Sequence, residues 1–447
     1  MAAASSSAFT KRLAALTACA LPAVCVSAIL LWQMRDVPML DDYHAILEFV
    51  LTLRQLPTLG SRLLWIIAAQ HSEYKLIFEH AIIAADWALT GRVHIELLVL
   101  LGNLMMLGLL WVFWQNTFAD EPDHTRRLLL FVPICCLLMQ LNYVETLDWA
   151  MGGLQNSPVN LFSLASLHFL VNRRQQNFAA ACLFAVLASL SSGNGFLVAP
   201  VGLLALVPQR HWRRVLLWSL SFCLPLAMYL YRYTLIQIAD HGTHVPLLVK
   251  LQFWAMFLGS AAENQHRFPV KNGSLVLGLL LLAVFAYAWR KGFRASQPFV
   301  FDATLWVLLT AAVVAEGRSG GGIASSLTGR YKIYSDLMLA FGYFTVAKFV
   351  EASSLALPLK RMVYAVALAA IVLFSAASDL LGYKLLLKRN MRVAEGIADF
   401  SADPAHNVPM VSISGDKDVG EAPLRARVIL NESLAAGIYK LPPVAKH

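Results

Sequence analysis

The chain has 447 residues, of which 58% are hydrophobic and only 14% charged. A soluble domain carries about 45–50% apolar and about 25% charged residues, so a soluble enzyme, a fibrous protein and a disordered chain are all excluded. With 36 Lys and Arg against 27 Asp and Glu the net charge is +9, an excess that basic cytoplasmic loops explain without a nucleic-acid partner.

These properties predict an all-α polytopic membrane protein. Lys11-Arg12 precede an apolar stretch from Leu13 to Trp32. That stretch is longer than the about 7–15 apolar residues of a secretory signal and no small-residue cleavage site follows it, so it reads as an uncleaved signal-anchor and first span. Further apolar segments fall near 93–115, 128–143, 158–172, 178–191, 196–208, 215–235, 273–289, 299–315, 336–350 and 362–381. The total is about eleven transmembrane helices, several short enough to be tilted or broken. The six cysteines all lie in apolar runs without metal-ligand spacing.

Charge gives the expected orientation. Alternate loops carry Lys11-Arg12, Arg126-Arg127, Arg173-Arg174, Arg210 with Arg213-Arg214, Arg290-Lys291 with Arg294, and Lys360-Arg361. The positive-inside rule puts these short loops and the N-terminus in the cytoplasm. The other set is expected outside, at 35–92, 143–157, 191–195, 236–272, 316–335 and after 382. Residues 1–381 then form the transmembrane unit, with 35–92 as first outer loop, and 382–447 a small outer-face tail. Lys384, Lys388, Arg389 and Arg392 oppose that placement of the tail unless they lie on lipid headgroups as an amphipathic segment. Val408–Ile413 and Ala426–Leu430 suggest strands in a small cap.

The chemistry gathers in the outer segments. Asp41-Asp42 follow the first span directly. Carboxylates so near a bilayer are costly unless used or paired, and adjacent like charges raise one pKa, which suits a general base; the same pair also reads as plain boundary charge. An amphipathic stretch Ala45–Leu53 leads to Gln70-His71-Ser72-Glu73-Tyr74-Lys75-Leu76-Ile77-Phe78-Glu79-His80. There Leu76, Ile77 and Phe78 are expected to dip into the headgroup layer. His71, Glu73, Glu79 and His80 are metal-type side chains without a zinc motif.

In 142–149 carboxylates Glu145 and Asp148 sit beside Tyr143 and Trp149. Such a mixture suits sugar binding, and equally an aromatic belt. Ser191–Gly195 reads as a tight turn, or as a place where Asn194 faces a cavity. Asp240–His244 and Glu263–Arg267, which includes His266, flank a run 247–258 expected to lie in the interface. Glu316–Ile323 and Ser325–Lys332 combine glycines with Arg318, Arg330 and Lys332. Glycines allow close backbone approach and anion nests, and arginine matches phosphate oxygens bidentately. No Walker-type motif is present. A flexible polar loop is the other reading of this segment.

The first span followed by Asp41-Asp42, the long first outer loop, about ten further spans and an outer tail together resemble the GT-C superfamily of integral-membrane glycosyltransferases, especially bacterial members. His71-Ser72-Glu73-Tyr74-Lys75 is similar to a His-x-Glu-x-[Lys/Arg] element of such proteins, and Arg318-Ser319-Gly320 with Gly329-Arg330-Tyr331 to an Arg-x-Gly … Arg-Tyr element. The resemblance implies an inner-membrane enzyme that takes a sugar from a polyprenyl-phosphate donor and passes it to a glycan, lipid or protein at the outer face. It implies Asp42 as the acidic catalytic residue, with Asp41 the second choice. Arg318, Arg330, Lys332 and Lys75 would neutralise the donor phosphate. Glu73, His71, Tyr331, Asp148 and His266 would contact acceptor or sugar. Some members use a divalent cation; no ligand set here specifies one. Two other classes fit the composition: a transporter or lipid flippase, and an O-antigen polymerase or ligase.

Overall fold

The computed structural model describes residues 2–171, 175–235, 245–263, 272–407 and 421–442. Arg173-Arg174, Asp240–His244, His266 and Val408–Ile413 lie outside the described residues. The chain is an all-helical polytopic membrane protein. Eight helical segments among the described residues are long and apolar enough to cross a membrane. They are the apolar part of α1 (Ala2–Gln33), α5 (Ile95–Asn116), α6 (His124–Leu138) with α7 (Val144–Leu147), and α11 (Trp212–Ser221) with α12 (Cys223–Leu230). The rest are α14 (Gly273–Arg290), α16 (Pro298–Arg318), α17 (Lys332–Ala352) and α18 (Leu357–Ala402). Leu13, Leu21, Leu104, Leu279 and Leu373 stay exposed on these helices, as a lipid-facing surface requires.

Three shorter or more polar passes, α8 (Ala150–Val171), α9 (Gln175–Ser191) and α10 (Val198–Leu206), occupy the remaining segments read as spans. Helix α8 has spanning length but carries Gln155, Asn156, Ser157, Asn160, Ser163 and Ser166, all buried. A helix surrounded by other helices need not be apolar, because protein rather than lipid meets its surface. Its backbone comes close to α5: a Cβ on Gly102 would lie 3.0 Å from the carbonyl carbon of Gly153. Small residues allow this approach, which in a membrane supplies the packing that hydrophobicity cannot.

Contacts sort the helix termini into two ends. At one, Arg126 pairs with Glu351 and Lys348 with Asp120, while Lys360 donates to the Glu351 carbonyl. At the other, Gln33 meets Asn390 and the Asp36 carboxylate accepts from the Ile95 N–H at 2.6 Å. The second end holds a separate hydrophobic core. It joins the first long loop, α2 (Phe49–Gln55) and α4 (Ile77–Thr90), to the start of α8 and to α19 (Glu421–Ala435) through Tyr43, Ile46, Val50, Ile83, Trp149 and Leu430.

Several expectations change here. Leu76 and Ile77 are buried in protein, and Phe78 packs edge-on against Phe162; the exposed apolar face belongs to α3 (Leu59–Ala68), through Leu59, Leu63 and Leu64. The run 247–258 is helix α13 (Leu247–Leu258), whose Phe253 and Ala255–Leu258 are buried against α14, α16 and α17 while Leu247, Leu248 and Leu251 stay exposed. Ala426–Leu430 is helical within α19. The helix that holds the last span does not stop near 381, since α18 runs unbroken for 46 residues. At 1.5 Å per residue it is about 69 Å long, more than twice a hydrocarbon core of about 30 Å. The short α15 (Phe293–Ser296) links α14 to α16.

Candidate active site

Beyond α1 the chain turns through Leu40, whose φ of 48° is in the left-handed region that bulky residues avoid. This turn sends the two adjacent carboxylates in different directions. Asp42 is completely buried, and its oxygens accept from the Met39 N–H and, across the fold, from the Met151 N–H of α8, each at 3.0 Å. Burial raises its pKa to about 7, with the neighbouring Asp41 charge adding and the two N–H groups opposing. Asp42, placed in sequence as the acidic catalytic residue, therefore ties the turn to α8 within a closed interior. Asp41 keeps 43% of its side chain exposed and faces His71 Nε2 at 3.6 Å. Partial burial pushes the Asp41 carboxyl up, but His71, Arg330 and His44 outweigh it and hold the acid below its ordinary value.

His71 lies on a tight turn, where reciprocal backbone bonds between His71 and Tyr74 measure 3.0 and 2.8 Å and Ser72 takes φ 47°. The turn presents Glu73 and Tyr74 to Arg318 at the end of α16. The Arg318 guanidinium pairs with Glu73 and donates to the Tyr74 hydroxyl at 2.7 Å. Lys75 does not join them. Its ammonium donates to the carbonyls of Ile67, Ala68 and Tyr231 at 3.3, 2.6 and 2.9 Å and is wholly enclosed. Three donors meeting three carbonyls leave none for a phosphate.

Residues 319–331 cross from α16 to α17 in three short 3₁₀ turns. A Cβ on Gly329 would come within 2.4 Å of the Glu145 carboxyl carbon and so would displace that side chain; the Glu145 carboxylate accepts from the Arg330 N–H at 3.2 Å. The Arg330 guanidinium sits 5.2 Å from the Tyr331 ring, and its Nε is buried with no hydrogen-bond partner among the described residues. Lys332, 3% exposed, points instead toward Asn142 Oδ1 at 3.5 Å. Asp148, expected to bind sugar, is enclosed in an ion pair with Arg389 of α18.

Glu73, Arg318, Arg330 and Tyr331 line one cavity of about 230 Å³. Asn194 lines it too, from the turn between α9 and α10, its Nδ2 donating to the Tyr334 hydroxyl at 2.9 Å. Sequence reasoning missed Gln155 and Asn156 of α8, Thr310 of α16, and Tyr74, Tyr229, Tyr233 and Tyr334. The amides were the available signal, because such side chains in a membrane-length helix are costly unless used. His71, Glu73, Glu79 and His80 do not assemble a metal site: among the described residues no three His, Cys, Asp or Glu side chains form one. Glu79 and His80 are fully buried instead, with the His80 ring stacked on Phe49 at 4.3 Å. The cavity thus joins two arginines, the Glu73 carboxylate paired with one of them, and a wall of tyrosines and amides. The chain matches no family model, no curated protein and no solved structure.

Proposed function

We propose that the protein is a membrane glycosyltransferase of the GT-C kind, using a polyprenyl-phosphate-linked sugar. The observation that carries this reading is the placing of Arg318 and Arg330 on one cavity, with the half-exposed acid Asp41 outside its lining but close enough to Arg330 to feel its charge. The acceptor hydroxyl oxygen would attack the anomeric carbon, and the bond from that carbon to the phosphate oxygen would break. The polyprenyl phosphate leaves with the electron pair and is neutralised by the two guanidinium groups. Asp41 orients the hydroxyl and takes its proton. Orientation with this end outward, in a bacterial inner membrane, belongs to the same proposal and rests on the basic loops gathered at the opposite end.

The test is binding of a short-chain polyprenyl phosphate to purified protein in nanodiscs. Wild type is expected to bind. Arg330→Ala is expected to weaken binding by about tenfold or more, since charge-assisted hydrogen bonds contribute about 1.5–3 kcal/mol each. Asp41→Asn is expected to retain it. Absence of binding in wild type would remove the donor class. The buried polar residues of α8 are what a transporter would offer. Ligand movement into sealed vesicles without covalent change would favour that second reading.

A further inference from the structure

The cavity is graded in charge from mouth to floor. Its ionic side chains are Glu73, Arg318 and Arg330. Glu73 and Arg318 keep 23% and 27% of their side chains exposed, whereas Gln155, Asn156, Thr310 and Tyr334 are buried. Thr310 precedes Arg318 by eight residues on α16, so it lies about 12 Å further along the helix at 1.5 Å per residue. No charged side chain accompanies these deeper lining residues.

Asn156 donates its Nδ2 to the Gly152 carbonyl at 2.9 Å, but part of the others' hydrogen-bonding capacity is unfilled. Thr304, on the same helix, returns its hydroxyl to the Val300 carbonyl at 2.7 Å, the usual resort of a helical threonine. Thr310 does not: its Oγ1 is buried without a partner among the described residues. Gln155 makes no side-chain hydrogen bond among the described residues, and the Tyr334 oxygen, which accepts from Asn194, retains its own proton to donate. A buried hydroxyl left without a partner is costly, and a hydroxylated ligand would recover that cost. On another wall Tyr229 and Tyr233 stack with centroids 5.5 Å apart, an aromatic surface of the type that covers the apolar face of a sugar ring. At about 230 Å³ the space is below the about 300–1,000 Å³ of sites for drug-sized ligands.

We infer that the cavity floor formed by Gln155, Asn156, Asn194, Thr310 and Tyr334 is a subsite for a single uncharged sugar ring, with the phosphate held above it by Arg318 and Arg330. This rests on the proposed function and adds the class of sugar. An acidic sugar would bring a carboxylate to a buried floor that offers no cation, and such a charge is costly to bury unpaired. Specificity of this kind comes from groups left unpaired as much as from contacts made.

Three probes separate the floor from the mouth: a bare short-chain polyprenyl phosphate, the same lipid carrying a neutral hexose, and the same lipid carrying a uronic acid. Wild type is expected to bind the hexose lipid at least tenfold more tightly than the uronic acid lipid, and more tightly than the bare lipid. Thr310→Val and Gln155→Leu, each checked for an unchanged melting temperature, are expected to reduce affinity for the hexose lipid at least fivefold more than for the bare lipid. Should either variant lower its melting temperature, Thr310→Ser, which keeps the hydroxyl, is expected to restore hexose discrimination. If the bare lipid binds but the hexose adds nothing, or the uronic acid lipid binds as well, the sugar assignment is wrong while the donor class survives. If no lipid binds, both fall together.

Discussion

Asp41→Asn is expected to lower sugar transfer by about 10²–10⁴-fold, the range for removing a positioned general base. The same change at Asp42 is expected to leave transfer within about tenfold of wild type. The two carboxylates are sequence neighbours, so this contrast comes from geometry alone. Asp41 is half-exposed, faces His71 and feels the charge of Arg330, whereas both oxygens of Asp42 are occupied by the Met39 and Met151 N–H groups in a closed interior. The readout is release of polyprenyl phosphate from a sugar-loaded lipid in membranes that contain the natural acceptors. Loss of transfer in Asp42→Asn with full retention in Asp41→Asn would reverse the assignment.

Asp42 has a separate signature in stability. Its folded pKa of about 7 lies above the ordinary 3.8, so the folded protein binds this proton more tightly than the unfolded chain. Its contribution is complete below about pH 4 and is lost as pH rises through 7. Each whole pH unit between the folded and unfolded values is worth about 1.4 kcal/mol, so the loss is roughly 4 kcal/mol. Fully buried Glu79 is raised as well, by burial and by the nearby Asp42 and Asp41 charges, and acts in the same sense. The melting temperature in detergent is therefore expected to fall between pH 4 and 7. Asp42→Asn, which mimics the neutral acid, is expected to flatten much of that decline. An unchanged slope in the variant would mean that Asp42 is not the titrating group.

The sequence carries the scaffold better than the site. Spans on lipid-facing helices such as α1, α5 and α14 are legible because lipid demands continuous apolarity. Hydropathy places helix α8 at 158–172 because it sees only the apolar half; the first two turns, with Gly152, Gly153, Gln155 and Asn156, face protein and a cavity. It ends α18 at 381 for a related reason, since charges lower hydropathy without ending a helix. Arg318 and Arg330 are legible as cations on a glycine-bearing segment. Lys75 and Lys332 share that chemistry, and only the fold directs one to three carbonyls and the other to Asn142. Choosing between Asp41 and Asp42 requires the φ of Leu40, which a leucine in sequence does not announce.

Arg389→Ala is expected to destabilise the protein by about 3–5 kcal/mol, the cost of removing one partner from a buried ion pair. Basic residues after the last span suggest a segment lying on lipid headgroups, where such a change would cost little. Arg389 is instead 6% exposed, paired with the Asp148 carboxylate and donating to the Asp148 carbonyl at 2.9 Å. Next to it Asn390 donates to the Gln33 carbonyl at 2.8 Å. These contacts fasten α18 to the ends of α1 and α8, between which the turn bearing Asp41 is suspended. Loss of Arg389 leaves Asp148 buried and unpaired three residues before Met151, the donor that holds Asp42. Transfer should therefore fall along with melting temperature. Replacing the pair together, by Asp148→Asn with Arg389→Met, is expected to recover most of the stability, because an apolar substitute for a buried pair is often neutral. An Arg389→Ala protein whose stability stays within about 1 kcal/mol of wild type would put this side chain back at the headgroups, and α18 would then be a peripheral extension rather than a support for the turn that bears Asp41.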